Sequence, residues 1–163
     1  MLNKVISGGQ TGIDQAALII ANLNKISTGG FAPYNWMTEM GPQEKLLSEF
    51  GLIADKYDPK IYPLRTLSNI KGSDGTLVFT CGISSVGTKL TINLCKKNNK
   101  PILIIEEVDS TSLYELYRFI KSNNIKTLNV AGPRLSKMQH KLEEHLYFIN
   151  KAFIEINKLY ETD

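Results

Sequence analysis

The 163-residue sequence predicts an α/β fold with a mostly parallel sheet and helices on both faces, three layers in all. Three observations carry this prediction. Strand and helix signals alternate from one end to the other. Two apolar runs, 75–81 (GTLVFTC) and 101–105 (PILII), are too apolar for an exposed antiparallel edge and read as buried parallel strands. Three glycine-rich turns, SGGQTG at 7–12, ISSVGT at 83–88 and VAGPRLS at 130–136, each follow an apolar run and open an amphipathic stretch. In such a sheet these turns gather at the carboxyl edge of the strands, where ligands bind.

The elements follow in order. Lys4–Ser7 reads as the first strand and Ile13–Leu23 as the first helix, with Ile13, Ala16, Ala17 and Ile20 on one face. A short strand is expected at 26–28, ending in Gly29 and Gly30. Residues 31–42 are irregular, broken by Pro33, Gly41 and Pro42. A helix is expected over 43–50 and a loop over 55–62. Pro63 starts the next helix, where proline is tolerated in the first turn. That helix puts Leu64, Leu67 and Ile70 on its apolar side and Arg65 and Asn69, four apart, on the other. The strand at 75–81 leads to a helix over Val86–Lys97, then to the 101–105 strand. Ser112 and Glu115 form a capping box for a helix whose Leu113, Leu116, Tyr117 and Ile120 share a face. Thr127–Ala131 is the last strand. A single long helix is expected over 137–160, with apolar residues such as Leu142, Leu146, Ile149, Phe153 and Ile156 alternating spacings of four and three. That stripe fits either a sheet-covering face or a seam between subunits.

Length fits one domain spanning residues 1–163. The formal charge of +3 comes without any Lys/Arg stripe, so nucleic acid is not an expected partner. The longest apolar stretch, 16–21, is far too short to span a membrane, and the first strand begins too early for a secretory segment. The expected compartment is the cytoplasm. The two cysteines, Cys81 and Cys95, lack metal-site spacing. Cys95 falls on an apolar helix face, and Cys81 lies at a strand end, in core or in a pocket wall. His140 and His145, five apart, do not share a helix face as metal ligands would, and both are expected to face solvent. Asp74-Gly75 lies at the amino end of its strand and reads as structural.

The turns supply the chemistry. Glycine lets backbone approach a ligand, and the free N–H groups of the following helix attract anions. GGQTG is not a Walker loop, since no lysine follows Gly12, and no acidic ribose ligand stands about twenty residues on. What it offers is the backbone of Gly8, Gly9 and Gly12, the Gln10 amide and the Thr11 hydroxyl, with Asp14 as a favourable first-turn charge. Ser84, Ser85, Gly87 and Thr88 form a second cradle. Arg65 and Thr66 start a helix antiparallel to the 75–81 strand, which brings them to the same carboxyl edge, and a bidentate arginine suits phosphate. Asn129, Gly132, Arg134 and Ser136 flank the last turn. One site for a phosphorylated small molecule is the expectation.

Taken together, GGQTGIDQAAL, GGFAP, LRTLSNIKGSDGTLVF, GTKLT and LNVAGPRLS resemble the molybdenum cofactor carrier family, circularly permuted relatives of the YpsA, DprA and lonely-guy proteins. The resemblance runs in order along nearly the whole chain. It implies a Rossmann-like sheet, a homo-oligomer (dimer or tetramer) and a phosphorylated heteroaromatic ligand such as molybdenum cofactor (molybdopterin). Carried over position by position, it implies binding by Gly8, Gly9, Gln10, Thr11, Gly12, Gly30, Arg65, Thr66, Asn69, Gly87, Thr88, Asn129, Gly132 and Arg134. The chain departs from the pattern after GGFAP, where Tyr34, Asn35, Trp36 and Met37 replace basic residues, and after the last turn, where Lys137, Met138 and Gln139 replace Pro-Gly. Trp36 could stack on a ring or pack.

The lonely-guy phosphoribohydrolases share the arginine and the glycine–threonine turn, but place a glutamate where this chain has Thr91. A threonine cannot supply that carboxylate chemistry. A hydrolase of nucleotide or ADP-ribose-type substrates, with Glu39 and Glu44 as its nearby carboxylates, is the alternative expectation. A nucleotide-sensing regulator is a third.

Overall fold

A computed structural model describes residues 2–56, 62–138 and 140–161. In chain order the strands are β1 (Lys4–Ser7), β2 (Ser27–Ala32), β3 (Met37–Thr38), β4 (Gly41–Pro42), β5 (Leu52–Ala54), β6 (Gly75–Phe79), β7 (Ile102–Ile105) and β8 (Thr127–Ala131). The helices are α1 (Ile13–Leu23), α2 (Glu44–Glu49), α3 (Tyr62–Lys71), α4 (Val86–Lys97), α5 (Ser110–Ser122), α6 (Leu135–Met138) and α7 (Leu142–Glu161). Six strands form one sheet in the order β5-β2-β1-β8-β6-β7, and every neighbouring pair is parallel. The last strand inserts between β1 and β6, pairing Ile6 with Asn129 on one side and Asn129 with Thr76 on the other. The carboxyl ends of β1, β8 and β6 are therefore adjacent, and the three glycine turns meet there.

Period-two alternation divides the side chains between two faces. Val5, Leu77, Phe79, Leu128 and Val130 pack against α1, α5 and α7 in the larger core. The opposite face lies under α3 and α4. It carries two buried polar side chains, Thr76 and Asn129, joined by a 3.2 Å hydrogen bond from Asn129 Nδ2 to Thr76 Oγ1. Asp74 caps the sheet from its amino edge, its carboxylate accepting from the Lys126 and Thr127 amides, as a structural residue should.

Several expectations change. β2 runs through Gly29 and Gly30 to Ala32, because parallel pairing with β1 and then β5 continues past the glycines. β5 is a short edge strand ahead of the expected loop, of which residues 57–61 lie outside the described residues. Within 31–42, a 3₁₀ turn at Tyr34–Trp36 leads into a β3–β4 hairpin. The long terminal helix is two helices: α6 closes with the Lys141 amide on the Met138 carbonyl, and α7 restarts with Glu143 and Glu144 in its first turn, a favourable placement of negative charge. The α7 stripe covers the sheet face: Ile149, Phe153 and Ile156 are buried in the chain's own core, with Leu142 and Leu146 packed against it.

His145 is buried, at 1 % exposure, rather than solvent-facing. The helix start carries it over the end of β6, edge-on to Phe79. Its Nδ1 lies 2.7 Å from the Lys141 carbonyl oxygen and therefore donates, leaving Nε2 to accept from the Cys81 thiol at 3.2 Å. Burial is the main influence on both groups. It lowers the His145 pKa and, with Glu144 against the opposing Lys141 charge, pushes the Cys81 thiol up to about 11. Cys81 is thus a core residue, as is Cys95.

Candidate functional site

A cavity of about 490 Å³ opens at the carboxyl edge of β1, β8 and β6, beneath the first turns of α3 and α4. Of the residues singled out from the sequence, Gly8, Gln10, Arg65, Thr66, Asn69, Ser84, Ser85, Gly87, Thr88, Asn129, Gly132 and Arg134 line it. Gly9, Thr11, Gly12 and Gly30 do not; the three glycines sit in close packing, and Thr11 is engaged in hydrogen bonds. A Cβ on Gly12, whose φ is +83°, would lie 2.5 Å from the Pro133 carbonyl oxygen. A Cβ on Gly30, with φ +129°, would lie 2.2 Å from the Ser7 carbonyl oxygen. Gly9 sits against Leu52 and Leu47.

The turn after β1 is closed upon itself. The Gly9 amide donates to Ser7 Oγ, the Gln10 amide to Asp14 Oδ2, the Thr11 amide to Gln10 Oε1 and the Ile13 amide to the Pro133 carbonyl. Gln10 Oε1 also accepts from the Glu39 amide, tying the hairpin to the turn. Of the donors that the sequence suggested for a ligand here, the Gly9 amide and the Thr11 hydroxyl are used within the protein. The turn after β8 is engaged in the same way. Leu135 donates its amide to Thr11 Oγ1, and Ser136 donates amide and hydroxyl to the Glu39 carboxylate, which Thr11 also reaches. Arg134 Nε lies 3.7 Å from Glu39 Oε2. Partial burial tends to raise the Glu39 pKa, but the bonds from Ser136 and Thr11, with the Arg134 charge, hold it below the usual carboxylate range. Glu39 is therefore a strut between hairpin and last turn. Glu44, exposed at the start of α2, is outside the cavity lining.

The turn after β6 differs. Ser85 caps α4, accepting from the Thr88 amide at 3.0 Å and sharing a hydroxyl–hydroxyl bond of 2.7 Å with Thr88. Val86 and Gly87 occupy the first two helical positions, whose amides have no carbonyl behind them in the helix. No partner meets those two amides among the described residues. Nothing stands within 4 Å of the place a Gly87 Cβ would take. The helix dipole adds positive potential at this open corner.

Arg65 reaches in from α3 and donates from Nη1 to the Gly8 carbonyl at 3.1 Å, which fixes its guanidinium at the cavity wall. Asn69, one turn on, clamps β2 by bonding both the amide and the carbonyl of Phe31. Asn129 forms floor beneath, with Leu90 and Thr91 among the wall residues from α4. The Thr91 hydroxyl donates to the Gly87 carbonyl. Trp36 packs against the small cluster of Leu18, Leu47 and Leu52, so of its two readings the packing one holds.

Asp14 is the residue that sequence reasoning undervalues. It lines the cavity yet is only 7 % exposed. Burial dominates its titration and pushes its pKa up to about 6, against the opposing pull of Arg65 and of the Gln10, Gly132 and Gly8 amides. An acidic residue two places after a turn glycine is the signal that points to it. Lys137, on the rim, is a further lining residue without a signal in the turn motifs. Among the described residues no group of three His, Cys, Asp or Glu side chains could hold a metal ion.

Residues 5–153 match the model of the circularly permutated YpsA SLOG family. Among solved structures, the chain is similar to the crystal structure of the "Putative molybdenum carrier protein" of Syntrophus aciditrophicus SB. The two are 33 % identical with a TM-score of 0.78, over 93 % of this chain and 94 % of that one. The fold is thus the Rossmann-like α/β sandwich that the sequence implied. No curated protein matches the chain.

Proposed function

Because this chain belongs to the circularly permutated YpsA SLOG family, we propose that it is a binding protein for a phosphorylated heteroaromatic small molecule, with molybdenum cofactor as the first candidate cargo. One observation carries the reading: a cavity of about 490 Å³ joins the Arg65 guanidinium to the open amides of Val86 and Gly87. Those groups suit a terminal phosphate. The neutral polar wall of Thr66, Asn69, Thr91 and Asn129, with Leu90, suits a ring bearing donors and acceptors. The described lining offers no thiolate or imidazole, so the cargo would be held by its phosphate and ring rather than through its metal.

Carriage needs no catalytic residue, and the carboxylates near the site support that reading. Glu39 is bound by Thr11 and Ser136, and Asp14 by the Gln10 amide. Thr91 stands where the phosphoribohydrolases place their glutamate, and its hydroxyl is engaged with Gly87. We place the protein in the cytoplasm as a homo-oligomer of single-domain chains. No described helix is long and apolar enough to cross a membrane. The oligomer rests on the family resemblance, since Ile149, Phe153 and Ile156 are taken by the core.

Native mass spectrometry of freshly purified protein tests the reading. A co-purifying pterin monophosphate is the expected result. A nucleotide would favour the sensor or hydrolase alternatives, and release of free base from AMP at enzyme-like turnover would establish the hydrolase.

A further inference from the structure

The anion nest of the first glycine turn already holds an anion, and that anion belongs to the chain. The Gln10 amide donates to the Asp14 carboxyl, N to Oδ2 3.3 Å, and the Gly132 and Gly8 backbones lie close enough to help lower its pKa against burial. Backbone amides at a glycine-rich turn ordinarily attract phosphate oxygens. Asp14 lines the same cavity as Val86 and Gly87, whose amides are open. A Cβ on Gly8 would lie 3.0 Å from Asp14 Oδ2 and 3.2 Å from Arg65 Cζ, so carboxylate and guanidinium flank one glycine.

We propose that Asp14 determines how many phosphoryl groups the cavity accepts: one docks at the start of α4, and a second is excluded because the Asp14 carboxylate lines the cavity on the side of the first turn and engages the Gln10 amide there. This deepens the ligand-binding reading above and rests on it. The first phosphoryl group meets the open amides and Arg65. A second, joined to the first through a bridging oxygen and directed toward the first turn, meets donors that are taken and a like charge. The charges around Asp14 do not undo this. Arg65 from α3 opposes the burial that raises the Asp14 pKa, Arg134 is paired with Glu39, and Lys137 lines the same cavity from α6. Above pH 7 the carboxylate is ionised, since its pKa is raised only to about 6.

The test is calorimetric binding of inorganic phosphate and of pyrophosphate at pH 8 to the wild type, to Asp14→Asn and to Asp14→Ser. The serine keeps a side-chain oxygen in the nest and removes the charge. The wild type is expected to bind pyrophosphate no tighter than phosphate. Both variants are expected to raise the ratio of pyrophosphate to phosphate affinity about tenfold or more, the loss of one like-charge contact to the second phosphoryl group. A wild type that prefers pyrophosphate overturns the inference, and this result stands even if neither variant folds. An unchanged ratio in folded variants overturns it as well. Failure of the wild type to bind either anion overturns the inference together with the ligand-binding reading, whereas binding with an unchanged ratio leaves that reading intact.

Discussion

The turns after β1 and β6 look alike as sequence and do opposite things as structure. Both are glycine-rich, both carry hydroxyl residues, and both open a helix at the same edge of the sheet. In the first, Ser7, Gln10, Asp14 and the Pro133 carbonyl take the amides, and Gly12 is crowded by backbone. In the second, Ser85 takes only the Thr88 amide, and Gly87 faces open space. The first turn is a joint that locks β8 and the hairpin to α1. The second is the receptive end of the cavity. Glycine before a helix therefore has two meanings, and the neighbouring side chains decide between them.

Substitution of the two glycines should separate those meanings most sharply. Gly12→Ala puts a Cβ 2.5 Å from a carbonyl oxygen at a positive φ, and should destabilise the protein by about 3 kcal/mol or more in chemical denaturation. Gly12→Ala with unchanged stability would break the comparison at its structural end.

Asp14→Asn probes the locked turn by pH. The sign follows from the raised pKa: the folded state holds the Asp14 proton more tightly than the unfolded chain, so the wild type loses stability as pH rises from about 4 through about 6. The asparagine variant lacks this loss. Its stability relative to wild type should grow by about 2–3 kcal/mol between pH 4 and pH 7.5, because each pH unit separating the folded and unfolded titrations contributes about 1.4 kcal/mol. A difference that stays flat across that range would remove Asp14 from the account of the turn.

Arg65→Ala addresses the receptive side. A charge-assisted contact to phosphate contributes about 1.5–3 kcal/mol, so ligand affinity should fall about ten- to a hundredfold in titration calorimetry. The melting temperature should fall as well above pH 6, because the buried Asp14 carboxylate loses the cation that faces it, so affinity is compared at a temperature where both proteins are folded. The smallest effect belongs to Gly87→Ala. In open space and at a helical position, alanine should add about 0.5–1 kcal/mol of stability, while its methyl narrows the approach to the amides and weakens phosphate binding.

The sheet's parallel character, the helices and the carboxyl-edge location were legible because burial and turn chemistry act locally on the sequence. β5 was not, since three residues of an edge strand leave too short a pattern. Two helices read as one because the stripe of apolar residues in α7 continues smoothly back toward Met138, which is itself buried. His145 was misplaced because its apolar setting comes from Phe79 and Cys81, more than sixty residues away. At the site, residue types identified which segments converge. They did not reveal which amides were already engaged, because the acceptors of the last turn, Thr11 and Glu39, come from segments distant in sequence. Asp14 could have been found, being an acid in the first helical turn beside an expected anion nest.

The most direct test of the claim that ligand enters at α4 is a titration of ¹⁵N-labelled protein with inorganic phosphate, followed by amide chemical shifts. The account predicts that the Val86 and Gly87 amides move first and furthest, while those of Gly9, Gln10, Thr11 and Ile13 stay near their starting positions. Large shifts confined to the first turn, with Val86 and Gly87 unmoved, would contradict it.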